Sequence, residues 1–266
     1  FLVKENDSRR LDPLRKSFEY EYGLTHFVDQ FLISKNTLNL SKRNLTQLAK
    51  EFLLEGERIN NIFKKQFSNN ENITECALAY FIPKIWPEKY PIMLSASSPI
   101  RDWLTFSGVN ALSRRCFSFR GASGIDGTLS MALGISRILH PLLLVTGDLS
   151  FLHDSNGWLI ENSENLNLTI LLIDNNGGNI FNRLYENHLK DDEIKRLFVM
   201  PKNVDFKKLA EANKVIFKDV SNLNELKELL EWSLLKSKTV ILRLKVNHIS
   251  EIDERKNLLN KIYQDS

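Results

Sequence analysis

Beyond position 90 the chain alternates short apolar runs with stretches of helical period. Tyr90–Ser95, Cys116–Phe119, Leu142–Val145, Leu168–Asp174, Val215–Val220 and Thr239–Val246 read as strands. The runs PLLLV and LTILLI are apolar without alternation, which predicts strands covered on both faces. Ile100–Ala111, Gly127–Leu139, Leu152–Asn162, Phe206–Ala212, Leu223–Leu235 and Glu251–Tyr263 read as helices between and after them. The alternation predicts an α/β fold: a doubly wound, mostly parallel six-stranded sheet with helices on both faces. Upstream, apolar positions recur at helical spacing from Asn39 to Phe67, with Asn36 or Ser41 as cap. The polar stretch SNNEN at 68–72 ends that pattern, and Ile73–Trp86 follows as a shorter helix. Residues 1–36 show no sustained period and read as the end of a preceding domain and a linker, leaving 37–266 as the main domain. Glu186–Asn203 is polar and irregular, which predicts a lid or long loop. No internal repeat or low-complexity segment interrupts this organisation.

Composition narrows the class. At 266 residues the chain can bury a substantial core, and 42% hydrophobic with 26% charged residues is ordinary for a globular protein. A net charge of +3, with basic residues dispersed apart from pairs such as Arg9-Arg10 and Lys64-Lys65, argues against nucleic acid as a partner. Cys76 and Cys116 lack metal-ligand spacing and a secretory context, so they read as reduced core thiols of a cytoplasmic protein. No apolar stretch reaches ~18 residues and the first residues lack an apolar centre, so neither membrane insertion nor a signal peptide is expected. A start at Phe1 rather than Met reads as a fragment, a processed product or a trimmed chain.

The candidate chemistry sits where two strands end. PLLLVTGD closes on Asp148, LTILLID runs into Asn-Asn-Gly-Gly, and Asn175 lies 27 positions after Asp148. A strand-helix-strand unit places both at the carboxyl edge of the sheet, where open α/β sheets bind ligands. One carboxylate, one amide oxygen and glycine-turn carbonyls suit a hard cation such as Mg²⁺, which leaves its other positions to water and a diphosphate. The spacing alone equally allows Asp148 to cap the next helix and Asn175 to start a turn. Asp174 should alternate away from Asn175. Gly121, Gly124 and Gly127 do not form G-x-G-x-x-G, so a dinucleotide-binding oxidoreductase matches only the sheet class; small residues there still let backbone approach a cofactor closely. Ser97 to Asp102 follows a strand and opens a helix, an anion-favouring place that puts Arg101 beside it. An isolated Arg is otherwise solvated surface, as Arg114-Arg115 is expected to be. His153 reads as a bystander, and His26, His140 and His248 have no convergent partners.

Three strings then occur in order: RGASGIDG at 120–127, GDLSFL at 147–152 and NNGGNIF at 175–181. Gly-Asp-x followed by Asn-Asn resembles the thiamine-diphosphate fold signature. With RRLDP near the start and FVMPKNVDFKKLAEA, the strings resemble the last part of the MenD family, about twice as long, which joins 2-oxoglutarate to isochorismate in menaquinone and phylloquinone biosynthesis. The resemblance implies thiamine diphosphate with Mg²⁺, or Mn²⁺ in its place, on a diphosphate-binding domain at 37–266. It implies decarboxylation of 2-oxoglutarate and addition of the resulting carbanion to isochorismate. By analogy Asp148, Asn175 and the Gly177 carbonyl hold the metal. Gly124, Gly147, Leu149 and Ser150 border the cofactor; Ile125 is a wedge beneath its thiazolium; Ile180, Phe181 and Leu184 form an apolar wall. Ser97, Arg101 and Arg120 fall on positions that take substrate carboxylates. The sequence departs from the family at Ala96 and Phe119, where Asn is usual. A pyrimidine-binding domain carrying the activating glutamate, from another subunit of a homo-oligomer (dimer or tetramer), is implied as partner, and this chain alone is expected to be inactive. Another thiamine-diphosphate enzyme of the acetolactate synthase type, or a non-catalytic cofactor-binding remnant, remains open.

Overall fold

The computed structural model describes residues 2–4, 16–37, 47–68, 73–108, 111, 114–119, 123–159, 166–184 and 191–264. It divides into two compact units, Phe1–Gly56 and Glu57–Ser266. The first holds β1 (Leu2–Val3) and β2 (Glu19–Tyr20), which pair in parallel, then α1 (Gly23–Thr37) and the start of α2 (Gln47–Ser68). Lys4 is buried there between Glu19, at 2.8 Å, and Glu21, at 3.2 Å. The helix α1 lies where no helical period was expected. The apolar residues Leu24, Phe27, Val28, Phe31 and Leu32 do recur at helical spacing, a signal the reading of 1–36 passed over, although Leu24, Val28, Phe31 and Leu32 are exposed in the fold. Asn36, expected as a cap, has helical backbone inside α1; Ser41 lies outside the described residues.

The second unit carries the alternation. In chain order it comprises α3 (Glu75–Ile85), β3 (Ile92–Leu94), α4 (Ser98–Phe106), β4 (Cys116–Ser118), α5 (Thr128–Ser136), β5 (Leu142–Gly147), α6 (Asp148–His153), β6 (Leu168–Asp174), α7 (Ile180–Leu184), α8 (Asp191–Ile194), α9 (Phe206–Ala212), β7 (Ile216–Val220), α10 (Leu223–Leu234), β8 (Val240–Lys245) and α11 (His248–Gln264). Helix starts follow local chemistry: Thr74, Asp205 and Asn222 each accept a backbone N–H of the first turn, at 3.1, 3.1 and 2.9 Å. The six strands β3 to β8 form one parallel sheet in the order β4-β3-β5-β6-β8-β7.

Strand period 2 divides this sheet between two cores. Ile92, Leu94, Leu143, Val145, Leu171, Ile173, Leu242 and Leu244 meet α3, α4 and α10 on one face. Met93, Leu142, Leu144, Ile170, Leu172 and Ile241 meet α5, α6 and α9 on the other. A third cluster, with Phe63, Phe67, Tyr80 and Phe106, joins the later part of α2 to α3, α4 and α11. The chain leaves β3 for β4 on one side, yet β5 is laid down on the other side of β3. That reversal opens a crevice at the carboxyl ends of β3 and β5, where loops diverge to opposite faces.

Several expectations need correction. The helix expected over Leu152–Asn162 begins earlier, as α6 at Asp148, and continues only as a 3₁₀ turn at Ser155–Leu159. The helix expected over Ile100–Ala111 starts at Ser98 with Pro99 in its first turn and ends at Phe106, before Gly108 at φ +66°. Cys76 is buried, but Cys116 is exposed, because β4 is an edge strand with little covering it. Arg114 is buried rather than solvated and donates to the Pro83 and Pro87 carbonyls, at 2.8 and 3.0 Å. None of the helices among the described residues is long and apolar enough to cross a membrane.

Leu171 sits in the middle of β6 with no exposure. Leu171→Ala is expected to lower stability by ~2–5 kcal/mol in urea unfolding, whereas Leu159→Ala, at an exposed position, stays within ~0.5 kcal/mol.

Candidate functional site

Asp148 is placed by the end of β5. Gly147 is the N-cap of α6 in an extended conformation, and the next residue turns its carboxylate toward β6. Oδ1 accepts the Leu149 N–H at 2.6 Å and Oδ2 accepts the Gly177 N–H at 2.7 Å. The residue is only 5% exposed. Burial therefore pushes its carboxyl up to about 6, the backbone N–H donors counter part of that rise, and Asp174 adds to it. No described Lys or Arg pairs with it, so the carboxylate is buried with dipoles but without a countercharge.

Beyond β6, the turn from Asn175 to Gly178 presents the second set of oxygens. The Asn175 Nδ2 donates to Glu75 Oε1 at 2.6 Å, while its Oδ1 is buried and has no hydrogen-bond partner. Asn179 Nδ2 donates to the Asn175 carbonyl, Asn182 Nδ2 donates to Asn179 Oδ1 at 2.8 Å, and the Gly177 carbonyl accepts the Asn179 N–H at 2.9 Å. That carbonyl keeps a second lone pair for another partner. Asp174 points away, as expected, and pairs with Arg243 of β8 at 3.6 Å.

Both glycines are needed by their surroundings. Gly177 has φ +121°, and a Cβ there would lie 2.3 Å from the Val199 carbonyl oxygen; at Gly178 it would lie 2.8 Å from that of Phe198. The opposing backbone is a π-helical turn, Lys195–Val199, whose Val199 carbonyl accepts the Gly178 N–H at 2.7 Å. The Phe198 ring packs on Phe181 at 5.5 Å. Thus the segment expected as an irregular lid over 186–203 includes α8 and this turn, and backs the glycine turn directly.

A cavity of about 340 Å³ opens at these strand ends. Ser97, Arg101, Gly124, Ile125, Gly147, Asp148, Leu149, Ser150, Asn175, Gly177, Ile180 and Phe181 all line it. Ser97 follows β3 at φ +73°, a strained conformation for a non-glycine residue, and its carbonyl accepts from the Arg101 guanidinium at 2.8 Å. Thr128 ties the loop before α5 to α6, through the Ile125 carbonyl at 3.0 Å and the Ser150 hydroxyl at 2.9 Å. Leu184 ends α7, with its side chain outside the description, and Arg120 lies outside the described residues. His153 is exposed, as a bystander should be.

The arrangement fits a divalent cation. It offers a buried carboxylate without countercharge, an amide oxygen without partner and a glycine carbonyl on one turn, an all-oxygen donor set suited to Mg²⁺. Sequence reasoning missed Glu75, Asn179 and Gly178. Glu75 lies 100 positions from the Asn175 it contacts, and an acidic residue opening a helix is normally explained by the helix itself.

The sequence model of the family described as "Thiamine pyrophosphate enzyme, C-terminal TPP binding domain" matches residues 104–244. Proteins named 2-succinyl-5-enolpyruvyl-6-hydroxy-3-cyclohexene-1-carboxylate synthase from Prochlorococcus marinus strains MIT 9312 and MIT 9515 are 57% and 59% identical over 261 residues. Those alignments cover 98% of this chain and 44% of either relative, so the chain spans less than half the length of the curated relatives it matches. The solved structure of benzoylformate decarboxylase from Polynucleobacter necessarius aligns with a TM-score of 0.53 at 16% identity, covering 65% of this chain and 33% of that one. At that identity the likeness concerns the fold.

Two measurements probe the site without ligand. Gly177→Ala is expected to destabilise by at least ~2 kcal/mol, since the obstacle is backbone, whereas Gly134→Ala, mid-helix in open space, is expected to stabilise by ~0.5–1 kcal/mol. Asp148 has its folded pKa raised from 3.8 to about 6, so its protonated form favours the fold. That contribution is complete below pH 3.8 and is lost as pH rises through about 6. In metal-free buffer, the melting-temperature advantage of wild type over Asp148→Ala should therefore shrink between pH 4 and pH 7; an advantage that grows would contradict the burial argument.

Proposed function

Since the chain belongs to the thiamine pyrophosphate enzymes through their C-terminal TPP-binding domain, we propose that it is the diphosphate-binding half of a 2-succinyl-5-enolpyruvyl-6-hydroxy-3-cyclohexene-1-carboxylate synthase. In this reading the complete enzyme decarboxylates 2-oxoglutarate and adds the resulting carbanion to isochorismate, in menaquinone or phylloquinone biosynthesis. The observation that carries the reading is the convergence of Asp148, the partnerless Asn175 Oδ1 and Gly177 on a cavity that Ile125 and Arg101 also line. The relatives' shared name supports the substrates.

Each residue then has a defined task. Asp148, Asn175 and the Gly177 carbonyl would hold Mg²⁺, or Mn²⁺ in its place, against the cofactor diphosphate. Thiamine diphosphate, when bound, supplies the carbanion-stabilising centre that side chains lack. Gly124, Gly147, Leu149 and Ser150 leave room for it, Ile125 provides an apolar wedge, and Ile180, Phe181 and Leu184 exclude water beside it. Arg101 and Arg120 offer guanidinium forks to substrate carboxylates, with Ser97 as a further donor. Arg101 is exposed and anchored to its own helix start, so it can turn its remaining N–H groups outward. The partner is a pyrimidine-binding domain carrying the activating glutamate, supplied by another subunit of a homo-oligomer; the relatives' additional length has room for it.

Calorimetric titration of the chain with thiamine diphosphate should give heat only when Mg²⁺ is present, and none for Asp148→Ala. Metal-independent binding would overturn the reading of Asp148, Asn175 and Gly177 as a metal bridge to the diphosphate. The chain alone should not consume 2-oxoglutarate. With the upstream region of a relative restored, 2-oxoglutarate and isochorismate should be turned over, and pyruvate should not replace the former; turnover of pyruvate would favour an acetolactate synthase type.

A further inference from the structure

An asparagine is an ambiguous metal ligand. Its side-chain amide carries an acceptor oxygen and a donor NH₂ of nearly the same size, and only the oxygen can face a cation. Something must therefore fix which branch faces the metal. At Asn175 the fixing group is Glu75, whose Oε1 accepts from Nδ2 at 2.6 Å. A carboxylate offers acceptors only, so turning the amide over would press Oδ1 against a carboxylate oxygen at the same separation. Glu75 is 4% exposed, so the contact is shielded from competing water. The other branch, Oδ1, is buried and without partner.

We propose that Glu75 is a positioning residue for the metal site: it holds the Asn175 amide so that the oxygen, and not the NH₂, is the atom left for the cation. The inference rests on the reading of Asp148, Asn175 and Gly177 as metal ligands. Glu75 is itself braced for this role. It is the first residue of α3, behind the Thr74 cap, and its backbone N–H donates to Glu251 Oε2 of α11 at 2.6 Å. Glu251 Oε1 in turn accepts from Arg255 Nε at 2.6 Å, and Arg255 pairs with Asp102 of α4 at 2.7 Å. Three elements, α3, α11 and α4, thus hold the backbone from which the Glu75 carboxylate reaches Asn175. Partners that orient metal ligands from behind typically change affinity by ~10–100-fold when removed.

The test is Mn²⁺ uptake by the whole chain, with thiamine diphosphate present, read by electron paramagnetic resonance, with circular dichroism to verify folding. Wild type should bind and Asp148→Ala should not. If wild type takes up no Mn²⁺, the metal-site reading falls and this inference falls with it. Given wild-type binding, Glu75→Met, which keeps length and deletes the acceptor, should weaken Mn²⁺ by ~10–100-fold. Glu75→Gln, which can still accept from Nδ2, should recover most of that loss. The decisive variant adds Asn175→Asp to Glu75→Met. An aspartate has oxygen on both branches and needs no orienting partner, so binding should return. A purely structural role for Glu75 predicts no such rescue, and neither would a misfolded Glu75→Met background. Failure of the rescue, or wild-type affinity in Glu75→Met, would overturn the proposal while leaving the metal-site reading intact.

Discussion

The hydrogen bond from the Gly177 N–H to the Asp148 carboxylate joins the ends of the two central strands, and the rest of the site is arranged around it. β5 and β6 are in register along six residue pairs, so their last residues emerge side by side at the carboxyl edge. The bond converts that proximity into a fixed relation between one carboxylate and one turn. It can do so because the turn puts an N–H, rather than a carbonyl, toward Asp148, which needs the positive φ of Gly177. The turn holds that shape because the Val199 carbonyl accepts the next N–H from behind. Sheet register, glycine conformation and the π-helical turn are thus successive requirements of a single contact.

How much of this could be read in the sequence varies with the range of the interaction. The strands showed themselves because PLLLV and LTILLI are buried on both faces, and β6 was bounded to the residue. The metal candidates and cavity-lining loops were legible because strand ends in a parallel sheet fall on one edge whatever the intervening chain does. Glu75 was invisible because its importance lies in a contact with a turn far away in sequence. The 195–199 turn was hidden by its polar surroundings: only Phe198 and Val199 face inward, too few for a period. α1 was legible and was passed over: Leu24, Phe27, Val28, Phe31 and Leu32 keep the helical period even though the fold leaves most of that stripe exposed. Cys116 and Arg114 show that composition priors fail at sheet edges, where a thiol can be exposed and a guanidinium can be buried against carbonyls.

Two groups of buried acids, neighbours through Glu75 and Asn175, are handled differently, and the contrast bears on function. Glu75, Asp102 and Glu251 lie close enough to share a cation. Burial raises Glu251, and the Arg255 guanidinium opposes that rise. A positive charge supplied by the fold already sits among them, from a helix packed for that purpose. Such a cluster is a strut, since adding a cation would have to displace Arg255.

Asp148 has no equivalent partner within the described chain. Its burial is offset only by backbone dipoles, which is why its carboxyl is held up to about 6. A fold that supplies a guanidinium to one set of acids and leaves the next one without a cation has left room for a charge from outside. A divalent cation such as Mg²⁺ would supply that charge in compact form, and its remaining coordination sites would suit a diphosphate. The lack of an internal countercharge, rather than the acidity itself, is what singles out Asp148 as the candidate ligand and separates it from the strut behind it.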